Sequence, residues 1–145
     1  MRNGLRVFGH PLHAMLSAFP IALLGTSLFW DLLGIFRHEA VWWAISFWSM
    51  ALGLAAAAIT AIAGFVDYAA MPESPAVETG TRHMMLMLTT VSLYAISLFM
   101  RRSAAPPTGT VLIAVLSLEG LGALLLGVGG WHGAHLVFHH GIGRD

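Results

Sequence analysis

The chain has 145 residues, 57% of them hydrophobic and 10% charged, with a formal net charge of +0. Soluble domains carry about 25% charged residues, so a water-facing globular surface is excluded, and the absence of lysine removes a broad basic surface for nucleic acid. The absence of cysteine excludes disulfides, thiolate-held iron–sulfur clusters and thiol catalysis. The first apolar run, about residues 11–36, follows Arg2 and Arg6. It is longer than the roughly 7–15-residue core of a signal peptide and reads as a retained membrane helix. Pro11 suits its first turn, and Pro20 predicts a kink with a carbonyl freed near Leu16. A charged turn, Arg37-His38-Glu39, leads to a second run at about 41–68, with no charged residue between Val41 and Val66. A polar loop containing Pro72 and Pro75 precedes the third run, about 83–100, which opens at His83 with Thr81 as a candidate N-cap. Residues 101–107, beginning Arg101-Arg102 and ending Pro106-Pro107, space it from the fourth run at about 110–137.

Each run meets or approaches the roughly 20 apolar residues that a bilayer core requires. Trp30, Trp42, Trp43 and Trp48 gather at one interface, and Tyr68 and Trp131 at the other, as an aromatic belt would. Small residues at four-residue spacing (Gly53, Ala57 and Ala61; Ala123 and Gly127; Gly129 and Gly133) let helices approach closely in lipid. No internal repeat or low-complexity tract is evident. The expectation is an all-α protein, a single domain over 1–145, built as an integral membrane four-helix up-and-down bundle.

Alternating the four spans sorts the polar groups by membrane face. His10, His13, His83, His132, His135, His139 and His140 fall at the end that holds the N-terminus, together with Asp67; among eight histidines only His38 falls at the other. His132, His135 and His139 share a stripe of the fourth helix, and His10 shares a face with His13 if it is already helical. Glu119 lies near mid-membrane and Asp31 near the opposite face, which suggests either a proton path from Glu119 toward the histidines or a protonated, hydrogen-bonded carboxyl. Arginines divide as Arg2, Arg6, Arg82 and Arg144 against Arg37, Arg101 and Arg102, which leaves the orientation open.

Gly9-His10-Pro11-Leu12-His13 with Phe19-Pro20-Ile21, Gly64-Phe65-Val66-Asp67-Tyr68, His83, and Gly130-Trp131-His132-Gly133 with Leu136-Val137 and His140-Gly141 occur in a familiar order. The chain resembles the bacterial membrane proteins called the domain of unknown function 2231 family over nearly its whole length. That resemblance implies a four-helix membrane bundle without a settled activity, in a bacterial cytoplasmic membrane. It puts forward His10, His13, Asp67, His83 and His140 for testing. The family pattern often has His-Pro where this chain has His13-Ala14, histidine at Ala18, and Glu at His135.

Two chemistries suit such a cluster. A single b-type haem for electron transfer would use His13 and His83 as axial ligands, with His10 and His135 as further candidates. Gly64, Gly129, Gly130 and Gly133 would leave room for the macrocycle, Arg6 or Arg82 would pair with a propionate, and a redox protein would dock at the histidine-rich face. Alternatively, a transition-metal ion (copper, zinc or iron) would be held among His10, His13, Asp67, His83, His132, His135 and His140. Met15, Met71, Met84, Met85 and Met87 lie near that face and would suit Cu(I). A third reading makes the chain a structural or assembly subunit of a membrane complex. No hydrolase or kinase motif is present.

Overall fold

The computed structural model describes residues 4–143; Arg2 and Arg144, both weighed above for orientation, lie outside them. A small antiparallel ribbon, β1 (Arg6–Val7) and β2 (His10–Pro11), opens the chain and turns through Phe8 and Gly9, both at positive φ. Four helices follow: α1 (Leu12–Arg37), α2 (Ala40–Ala69), α3 (Ala76–Arg101) and α4 (Gly109–Phe138). All four are long and apolar enough to cross a membrane. Large apolar side chains such as Phe19, Ile62, Phe99 and Leu124 face outward around the bundle, the arrangement a lipid surroundings favours and water does not. The chain is a four-helix membrane bundle, as its composition requires.

Local chemistry explains where the helices stop. His38 adopts a left-handed conformation and its N–H donates to the Gly34 carbonyl at 3.1 Å, closing α1 before a two-residue connection to α2. Pro20 lies inside α1 without ending it. Two expectations change. His10 is not helical but extended in β2, so it does not continue the His13 face. Helix α3 begins at Ala76, directly after Pro75, and not at His83; its first turns are polar, with an exposed Arg82–Glu78 pair at 2.5 Å, so apolar run length could not report them. Thr81 is therefore inside α3, where its hydroxyl donates to the Val77 carbonyl and contacts the Tyr68 hydroxyl.

The helices pair as two hairpins, α1–α2 and α3–α4, which pack far more closely within themselves than against each other. Those hairpins repeat one packing scheme, contrary to the expectation of no repeat. Moving 70 residues on carries the buried α1 residues Leu24, Ser27 and Asp31 onto the buried α3 residues Tyr94, Ser97 and Arg101. Moving 69 residues on carries Gly53 of α2 onto Gly122 of α4. A Cβ at Gly53 would strike Leu24 at 2.8 Å, and one at Gly122 would strike Tyr94, also at 2.8 Å. Each glycine is the notch that seats the large residue of its own hairpin. Since α1 and α3 run the same way, the two halves are related about the long axis of the bundle. Along that axis lie a histidine layer, an apolar layer of Leu24, Met50, Tyr94 and Leu126, and a charged layer.

Candidate functional site

The histidine layer is the repeat's most complete expression. His13 leaves the first turn of α1, and its Nδ1–H donates to the Thr60 carbonyl of α2 at 3.0 Å. His83 of α3 does the same toward the Gly129 carbonyl of α4 at 2.8 Å. A carbonyl oxygen only accepts, so both Nδ1 atoms carry the proton, and in the neutral rings both Nε2 atoms keep their lone pair. Each ring also lies on a glycine. A Cβ at Gly64 would sit 2.7 Å from His13 Cε1 and Nδ1, and one at Gly133 would sit 3.0 Å from His83 Cε1. The glycine meets the Nδ1–Cε1 side, so Nε2 of His83 stays farther away, at 3.9 Å. Carbonyl and glycine together fix each ring's rotation, which is how metal-binding imidazoles are held. The two rings face across the seam between hairpins, their centres 6.2 Å apart and their planes crossed at 85°.

His132 of α4 is near enough to His83 to interact with it electrostatically. Its Nδ1 is buried and, among the described residues, has no hydrogen-bond partner. Of the remaining histidines, His135 also lies near enough to His132 to interact with it electrostatically. His135, His139 and His140 form a separate cluster around the C-terminal end of α4, with ligand-capable nitrogens within 4.8 Å of one another. Trp131 stacks on His135 at 5.3 Å and Thr79 Oγ1 contacts His140 Nε2 at 3.2 Å, which keeps that trio on the outer side. His10 is exposed on β2. The seven histidines share an end of the bundle but divide into an inner pair with His132, an outer trio and an isolated ring.

Asp67 serves the backbone. Its Oδ1 accepts the Leu5 N–H at 2.8 Å and lies against Gly4, tying the N-terminal segment to the end of α2. Arg82 is engaged by Glu78, and Arg6 donates to the Gly9 carbonyl at 2.6 Å. The glycines expected to make room for a macrocycle are used otherwise: Gly64 and Gly133 receive the imidazoles, and Gly129 receives Met87. Of these four, Gly130 alone meets open space.

At the far end of the axis sits a group that sequence reading divided among loop and helix. Arg101, read as an interfacial charge beside Arg102, is buried and paired with Asp31 and Glu119. Its spacing from buried Thr90, Tyr94 and Ser97 places it on the inner stripe of α3, and that spacing was the available signal. Removing Arg101 from the interfacial arginines changes the comparison between faces from four against three to four against two. The layer of Leu24, Met50, Tyr94 and Leu126 stands between Glu119 and the histidines, and the Tyr94 hydroxyl is its one polar group.

No curated protein and no solved structure matches the chain. The family described as "Predicted membrane protein (DUF2231)" matches residues 9–145, which takes in all four helices and every histidine. By that match, and in agreement with its four membrane-spanning helices, the chain belongs to the DUF2231 family of membrane proteins.

Proposed function

We propose that the protein is an electron-transfer protein of a bacterial cytoplasmic membrane, holding one metal centre between His13 and His83, and that this centre is the iron of a b-type haem. The matched anchoring of the two rings carries the reading. Each has a protonated Nδ1 on a carbonyl and a free Nε2, at equivalent positions of two hairpins. With their centres 6.2 Å apart across the seam, His13 and His83 would each hold the centre through Nε2. The glycine notches are filled by the imidazoles and by Met87, so the two hairpins would have to part to admit a porphyrin between His13 and His83. A redox partner would dock at the histidine-rich face.

A second reading, a bare copper, zinc or iron ion, is favoured by His132. Its unpartnered Nδ1 would add a third imidazole from a third helix. Both readings are tested by expressing the protein with haem supplementation, purifying it in mild detergent, and recording reduced-minus-oxidised spectra with elemental analysis. A Soret band lost in both His13→Ala and His83→Ala supports the haem. Stoichiometric metal without that band moves the assignment to the ion. Neither signal overturns both and leaves a structural or assembly role.

A further inference from the structure

Asp31 of α1, Arg101 of α3 and Glu119 of α4 meet at the end of the bundle away from the histidines, with side-chain exposures of 0%, 1% and 0%. Arg101 is the hub. Its Nη2 pairs with Asp31 Oδ2 and also donates to Glu119 Oε1 at 2.7 Å, an oxygen that accepts from Ser97 Oγ at 2.9 Å as well. Trp43 of α2 closes the fourth side, its ring centre 5.9 Å from the guanidinium carbon. The repeat makes Asp31 and Arg101 equivalent positions, so the acid in one hairpin meets the base in the other on the shared axis. Glu119 breaks that balance, for its equivalent in α2 is Met50.

Two carboxylates face one guanidinium, so the fully ionised cluster carries one excess negative charge. Taking the surrounding helices in turn, α1 contributes Asp31, α2 only Trp43 and Ser46, α3 Arg101 and the neutral Tyr94, and α4 Glu119. Arg37 and Glu39 pair with each other at the surface, and His38 and Arg102 are exposed. Among the described residues no buried base offsets the excess. An uncompensated ion within a membrane span is strongly disfavoured. Around this layer Asp31 Oδ1, Glu119 Oε2, Ser46 Oγ, Tyr94 Oη and Arg101 Nε are buried and, among the described residues, lack a hydrogen-bond partner. One proton answers both facts: it cancels the charge and turns an orphan carboxylate oxygen into a donor. A metal cation answers them less well, because it needs a cavity for several oxygen ligands, and these atoms are closely packed.

We propose that Asp31, Arg101 and Glu119 form a one-proton binding site that exchanges with water at the end of the bundle carrying His38 and Glu39. Loading forms one O–H bond on a carboxyl oxygen at the expense of a hydronium ion, and the cluster passes from one negative charge to none. The nearest approach from the surface is an open pocket of about 400 Å³, lined by His38, Glu39, Pro106 and Leu112 among others, which reaches the tryptophan that covers Arg101. In the other direction Leu24, Met50, Leu126 and the ring of Tyr94 pack between the cluster and the histidines.

Infrared spectroscopy of the purified, full-length protein tests this without any cofactor. Near neutral pH the wild type is expected to show a protonated-carboxyl C=O band of about one group per chain, shifting in D₂O. Glu119→Gln and Asp31→Asn should each abolish the band, because each leaves one carboxylate opposite one guanidinium. A thermal melt identifies a variant that fails to fold, and the wild-type band and its D₂O shift are decisive by themselves. A wild type without the band overturns the proposal, as does a band that survives in both substitutions.

Discussion

Gly64→Ala is the sharpest perturbation of the histidine layer, because it changes no ligand and adds one methyl group. The new Cβ would lie 2.7 Å from His13 Cε1 and Nδ1, whereas carbon atoms in comfortable contact stand about 3.5–4.0 Å apart. Neither partner yields easily: α2 is a continuous helix there, and the imidazole is tied to the Thr60 carbonyl. Overpacking of this kind costs about 1–3 kcal/mol, and losing the Nδ1–H bond adds about 0.5–1.5 kcal/mol. Moving an imidazole off its orienting carbonyl also lowers metal affinity by about 10–100-fold. Gly130→Ala is the control, since a Cβ there meets nothing within 4 Å; it is expected to be neutral or to stabilise by up to about 1 kcal/mol through helix propensity. The assay is thermal unfolding in detergent together with metal and haem content of protein purified side by side. Gly64→Ala should melt lower and lose bound centre, while Gly130→Ala should do neither. Indistinguishable melting of the two variants would refute the packing argument, and full occupancy in Gly64→Ala would refute the role given to His13.

The remaining expectations use the same preparations. Gly133→Ala, whose Cβ would lie 3.0 Å from His83 Cε1, should resemble Gly64→Ala in kind but be milder in melting temperature, as the contact is longer. Arg101→Gln leaves the buried carboxylate of the cluster without its base; breaking a buried pair from one side costs about 3–5 kcal/mol, so calorimetry should find it the least stable of the charged-layer variants. Asp67→Ala removes the acceptor of the Leu5 N–H and should speed amide exchange and proteolysis before α1, with bound centre unchanged. Replacing His139 and His140 together by Ala should abolish any surface zinc adduct at the outer trio while leaving the spectrum of the inner pair intact, as measured by elemental analysis and difference spectroscopy.

Membrane spanning was legible from residues alone because lipid acts on every residue of a span at once. Twenty or so apolar residues in a row leave a helix as the one local solution, and alternation of spans then brought the histidines to one end. Boundaries were less legible. The start of α3 at Ala76 was hidden because its first turns carry Glu78 and Arg82, and a helix that continues beyond the apolar layer leaves no trace in hydropathy. Its i, i+4 charge pair was the signal that could have found it.

The repeat and both polar layers were decided only by tertiary structure. Lipid-facing positions in all four helices are drawn from the same few apolar residues, and they outnumber the inner stripe on which the repeat is written. That stripe keeps a residue type in some places, as with His13 and His83 or Gly53 and Gly122, and changes it in others, as with Leu24 and Tyr94 or Asp31 and Arg101. Sequence therefore determined that the chain crosses a membrane four times and carries its histidines at one end. Which imidazoles meet across the seam, and that Arg101 turns inward while Arg102 does not, depended on a rotation of about 100° per residue and on where the second hairpin docks against the first.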